Sequence, residues 1–90
     1  MTTYDRQLAI EAALNDVAME LQRARMKFAP FHSAHEGYAV ALEEVDELWE
    51  IVKHKQRDRD LDKMRCEAIQ AAAMFTAFAA ECCGEETGRV

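Results

Sequence analysis

The residues with most chemical promise are five oxygen-bearing side chains at matched spacing. Glu43, Glu44 and Glu47 stand in the run EGYAVALEEVDELWEIV, and Glu67 and Gln70 follow in EAIQAAAM. At ~100° per helical residue, Glu44 and Glu47 project together, and Val40 and Ile51 share their sector one turn before and after. Two carboxylates framed by apolar neighbours describe a partly desolvated acidic patch. Glu43, Asp46 and Glu50 fall instead on a polar face of the same helix. Buried anions must be paired, protonated or held by a metal. The competing reading of any such run is a solvated acidic face.

Three helices must position these residues. The first is expected from about Thr3 to Phe28, with Ile10, Leu14, Val17, Leu21, Ala24 and Phe28 on one stripe. Ala29-Pro30-Phe31-His32 ends it, because Pro disfavours helix at the preceding residue and cannot continue the ladder. Ser33 and Glu36 form a capping-box pattern that opens a second helix, placed from about Ala34 to Lys55. Its broad apolar face carries Tyr38, Leu42, Val45, Trp49 and Val52, and core packing is the expected role of Tyr38 and Trp49 in preference to stacking a base. His32 and His35, in the loop and first turn, read as capping or solvent-exposed groups rather than a metal pair.

From Lys53 to Asp60 the sequence KHKQRDRD has no apolar side chain, so a short turn near Gln56 to Asp60 is expected, with Asp58 or Asp60 capping the next helix. That third helix, about Leu61 to Cys83, is apolar nearly all round between Cys66 and Ala80. A helix of that kind needs cover on every side, which two partners from one chain do not readily give. The expected architecture is therefore an all-α antiparallel bundle of three main helices per chain, completed by oligomerisation with this helix near the interface. The domain is expected to span residues 1–83, followed by a polar tail over 84–90.

If the second and third helices pack antiparallel across the short turn, the two pairs face each other at matching heights. Three carboxylates and an amide oxygen would then converge, a hard oxygen-rich site suited to Mg²⁺ or Mn²⁺. Without a divalent cation three such carboxylates would repel one another and rise in pKa.

EE-x-x-E at Glu43, Glu44 and Glu47, followed by E-x-x-Q at Glu67 and Gln70, resembles the signature of the MazG-like all-α nucleoside triphosphate pyrophosphohydrolases. That signature reads EE-x-x-E, a variable spacer, then E-x-x-D. The resemblance covers about Phe31 to Ala80, and HEGYAVALEEVDELWE with EAIQAAAM is similar in wording to a phage-associated branch of the superfamily. It implies an α-helical dimer or tetramer that binds Mg²⁺ and cleaves a nucleoside triphosphate to pyrophosphate and a nucleoside monophosphate. Glu44, Glu47, Glu67 and Gln70 would be the metal ligands, with Glu43 and Glu44 as the catalytic acids and Glu43 orienting a ligand or water. Gln70 stands where the family has Asp, and its amide brings no charge and accepts no proton. A non-catalytic nucleotide- or metal-binding module of the same fold is the second reading, and a structural helical assembly protein the third. Lys53, Lys55, Arg57, Lys63 and Arg65 cluster about the turn; Lys53, Arg57 and Lys63 are the candidate phosphate contacts, against the simpler reading of helix-end bases and pairs with Asp58, Asp60 and Asp62.

Composition narrows the partners. A formal net charge of −6 disfavours a nucleic-acid polymer or an anionic membrane surface as partner, since both select basic surfaces. The opening MTTYDRQLAI lacks the basic start and apolar core of a signal peptide. Cys66, Cys82 and Cys83 are odd in number and without C-x-x-C spacing, which suggests reduced thiols in a cytoplasmic protein, Cys66 serving helix packing.

Overall fold

The computed structural model describes residues 1–84; the expected tail segment EETGRV lies outside them. Helix α1 runs Thr3–Lys27, α2 Ala34–Val52 and α3 Leu61–Cys82, with a single 3-10 turn at Gln56–Asp58 between α2 and α3. No strand occurs among the described residues. No helix among them is long and apolar enough to cross a membrane.

Local chemistry sets each boundary. Thr2 and Asp5 form a full capping box at the start of α1. Its end falls two residues before Ala29-Pro30, where Phe28 turns extended and its N–H closes on the Ala24 carbonyl at 2.8 Å. Ser33 Oγ accepts the Glu36 N–H at 3.1 Å. The reciprocal half of that capping box is missing, because the Glu36 carboxylate takes the His32 backbone N–H at 2.7 Å instead. Helix α2 stops at Val52 rather than Lys55. Arg59 explains this, its Nη2 donating to the Val52 carbonyl at 2.7 Å and its Nε to the His54 carbonyl at 3.1 Å. A guanidinium on the last carbonyls satisfies acceptors that a further turn would have used. Asp60 caps α3 through the Lys63 N–H at 3.1 Å.

Helix α3 is central, with α1 and α2 both packed on it. Antiparallel to α3, α2 sets Gly37 beside Phe78 and Cys82 and its acidic middle beside Glu67. Two ion pairs bind α1 to α3. Arg65 meets Asp16 at 2.8 Å, and Arg25 reaches both Glu81 oxygens at 2.8 and 2.9 Å. Glu81 also accepts the Phe31 N–H at 3.0 Å, so one carboxylate fixes α1, the connection and α3 together. Arg65 thereby finds its acid on α1 rather than among the aspartates of the turn, and Lys53 pairs with Glu50 at 2.8 Å.

The core is thin. Ala24, Ala41, Ile51, Ala71, Ala73, Met74 and Ala77 are its buried members, with Val17, Leu21, Phe31 and Val40 packed against it. The expected apolar face of α2 supplies none of its buried members: Tyr38 and Trp49 are 60% and 57% exposed and Leu42 is exposed as well, while Val45 and Val52 are half-buried. The inward sector is the adjacent one, Gly37, Ala41 and Ile51. Close approach decides between the two. A Cβ on Gly37 would lie 2.8 Å from the Phe78 ring, a spacing only glycine permits. Helix α1 divides likewise. Its lower half packs through Val17, Leu21 and Ala24, while residues 1–12 are exposed throughout, and Ile10, Leu14 and Phe28 of the expected stripe stay outside. The radius of gyration, 15.1 Å, exceeds the about 12 Å of a compact chain of this length. Cys66 is exposed rather than packed, and all three thiols are free.

Candidate functional site

Glu44, Glu47 and Glu67 come together where α2 crosses α3. One carboxylate oxygen from each lies within 4.8 Å of the others. Glu44 and Glu67 are half-buried and Glu47 is exposed, so the cluster opens to solvent along one edge. Sequence periodicity placed Glu44 between Val40 and Ile51, and these are half-buried and buried. The neighbouring Glu43, Asp46 and Glu50 are exposed.

The electrostatics follow from that position. Burial first, and then the Glu47 and Glu67 charges, push the Glu44 carboxyl above its ordinary range. Glu67 is raised as well, first by burial and next by Glu47, with Lys63 pulling the other way. Oε2 of Glu44 and Oε2 of Glu67 are shut off from water and have no hydrogen-bond donor. Among the described residues no ion pair includes Glu44, Glu47 or Glu67. Buried acceptors left without donors are uncommon in folded proteins and invite a reason.

A divalent cation fits the donor set. All three groups are carboxylates, the hard ligands that Mg²⁺ and Mn²⁺ prefer over softer zinc sites. Ligands on opposite sides of an octahedral Mg²⁺ are about 4.2 Å apart at ~2.1 Å each. The present spacing reaches that limit after small rotamer changes.

The other candidates are less closely drawn in. Gln70 is half-buried, and its Nε2 donates to Cys66 Sγ at 3.5 Å. With Glu43 and Glu44 it lines a cavity of about 510 Å³ that reaches back to the α1–α2 connection. Lys63 is close enough to Glu67 to bear on its charge, whereas Lys53 holds Glu50 and Arg57 lies exposed in the 3-10 turn. None of Lys53, Arg57 and Lys63 lines that cavity. His35 is exposed, and the His32 ring faces Glu36 at 3.3 Å.

Sequence reasoning passed over Glu20. Its charge adds to the upward push on Glu44, and its carboxylate holds Arg23 at 2.6 Å. The signal was available, since Glu20 falls between Val17 and Ala24 on the packed stripe of α1, an unusual place for an acid. Glu81 was missed too, and nothing local marks it, because its partners Arg25 and Phe31 are remote in sequence.

No family model, curated protein or solved structure matches the chain. Its fold is that of a small all-α protein of three packed helices.

Proposed function

We propose that the chain is a metal-dependent nucleoside triphosphate pyrophosphohydrolase of MazG-like fold, releasing pyrophosphate and a nucleoside monophosphate. The observation that carries this reading is the meeting of Glu44, Glu47 and Glu67 with two of their oxygens buried and without donors. When bound, a divalent cation supplies the charge that holds a triphosphate, polarises its phosphoryl oxygens and lowers the pKa of water. Glu44, Glu47 and Glu67 furnish the ligand oxygens, and Gln70 offers a neutral one. Glu43, exposed beside Glu44 on the cavity wall, orients the attacking water and takes its proton. Mg²⁺ is the expected metal, with Mn²⁺ a substitute.

The working unit is a homodimer or homotetramer. Support comes from Tyr4, Leu14, Tyr38 and Trp49, all more than half exposed on one copy, against a core made mainly of alanines.

The decisive assay is pyrophosphate release from a panel of canonical and modified nucleoside triphosphates with Mg²⁺ or Mn²⁺. Turnover by the native chain and its loss in Glu44→Gln and Glu67→Gln are expected. No turnover, or turnover undiminished in both variants, refutes the proposal.

A second reading has its own observation. Gln70 replaces the acid of the resembling signature and turns its amide nitrogen to Cys66 Sγ. The chain would then bind nucleotide and metal without hydrolysis, and Gln70→Asp would create activity that the native chain lacks.

A further inference from the structure

The cavity of about 510 Å³ beside the acid cluster has the size of a small-ligand pocket. It is bounded by the last turns of α1, the connection through Pro30, the first half of α2, and Gln70 and Met74 of α3. Its two ends differ in chemistry. One carries Phe28, 58% exposed, with Phe31 close by in the same wall. The other carries Glu43 and Glu44, the latter a member of the carboxylate cluster. The Lys27 ammonium lies 5.4 Å from the Phe28 ring centroid; the ring surface it leaves free is a stacking platform for a flat heterocycle, and stacking is indifferent to which base is offered. Arg23 lines the same wall, and its guanidinium is 58% exposed beyond its Glu20 partner, so it can trade that carboxylate for a phosphate oxygen. Aromatic surface, an arginine and one member of the carboxylate cluster, Glu44, thus line one hollow, while Glu47 and Glu67 stand outside its lining.

We propose that this cavity receives the nucleoside half of the substrate, the base stacked on Phe28 and the phosphate chain directed to the Glu44 end. The inference rests on the nucleotide reading above and extends it by assigning the substrate its orientation. It also moves the phosphate-binding base from the inter-helix turn to Arg23 of α1. Phe28 then belongs to ligand recognition, which accounts for a large apolar side chain left outside the core at the end of a packed helix.

Calorimetric titration in Mg²⁺ with two probes tests this: a non-hydrolysable nucleoside triphosphate and inorganic tripolyphosphate. Both should bind the native chain. Phe28→Ala should weaken the nucleotide about 10-fold and leave tripolyphosphate unchanged, because only the former can stack. Ala29→Trp, an exposed position on the cavity wall, should obstruct the nucleoside with the same selectivity. Unchanged nucleotide affinity in both variants would overturn the orientation while leaving the acid cluster's role intact. Equal losses for both probes would overturn it as well. If neither probe binds the native chain, the nucleotide reading fails and this inference goes with it.

Discussion

Replacing Glu67 by Gln separates a metal site from a merely acidic surface without any substrate. Carboxylate oxygens of Glu44, Glu47 and Glu67 lie within 4.8 Å of one another. At that distance a pair of unit charges repels by about 3.5 kcal/mol at an effective dielectric of ~20, and by about 0.9 kcal/mol in bulk water. Glu47 is exposed, so its pairs fall near the lower figure. Repulsion within the cluster is among the causes that raise the Glu44 and Glu67 carboxyls, after burial. Removing the Glu67 charge should therefore stabilise the metal-free chain by about 1–2 kcal/mol near neutral pH. For a chain of this size that raises Tm by roughly 4–16 °C. Mn²⁺ should reverse the ranking. At 100 times its Kd a bound ion adds about 2.7 kcal/mol to the native chain, and the variant, short of one ligand, should gain little. Thermal unfolding of both proteins with and without Mn²⁺ reads this directly. A Glu67→Gln chain less stable than native without metal, or equally stabilised by Mn²⁺, would refute the argument.

The same acids set the pH dependence. Glu44 and Glu67 hold protons more tightly folded than unfolded, so metal-free stability should fall as pH rises from the ordinary carboxylate range through their raised values. Glu36, kept low chiefly by the His32 N–H, and Glu50, by Lys53, act oppositely and only as acid strips their charge below that range. A urea midpoint higher just above the ordinary carboxylate range than at neutral pH is expected, and saturating Mn²⁺ should flatten the slope. Glu81→Ala leaves the half-buried Arg25 guanidinium and the Phe31 N–H without acceptors, and should cost about 2–4 kcal/mol in denaturant unfolding. Gly37→Ala gains helix propensity but drives a methyl into the Phe78 ring, for a net loss of about 1–2 kcal/mol measured the same way.

Helix number, most helix ends and the approach of Glu44, Glu47 and Glu67 were legible in the sequence. Their signals are local: Pro30 stops a helix, Ser33 and Asp60 start one, and three-residue spacing aligns side chains. The inward face of α2 was not legible. Large apolar residues favour the Tyr38–Trp49 stripe, yet Gly37 and Ala41 win because α3 approaches more closely over small side chains. Periodicity defines sectors of a helix and is silent on which neighbour each sector meets. Hence the acid cluster could be anticipated within α2 and α3, while Glu20, marked as inward-facing by its place on the packed stripe of α1, could not be assigned to that cluster without the register of α1 against α3. The early stop of α2 at Val52 depends on Arg59 seven residues on, beyond the reach of any cap pattern.

The unsupported first half of α1 sets up a gradient of order along a single rod. The ten helical residues from Thr3 to Ala12 lack packing and are marginal in water, whereas Val17 to Ala24 are anchored on α3. Backbone amides near Leu8 should trade hydrogen for deuterium well before those near Leu21, and the boundary should fall close to Asp16, where the first clasp to α3 is made. If the proposed dimer or tetramer covers this segment, diluting it would move that boundary toward the C-terminus of the helix, and exchange along α1 would then gauge self-association.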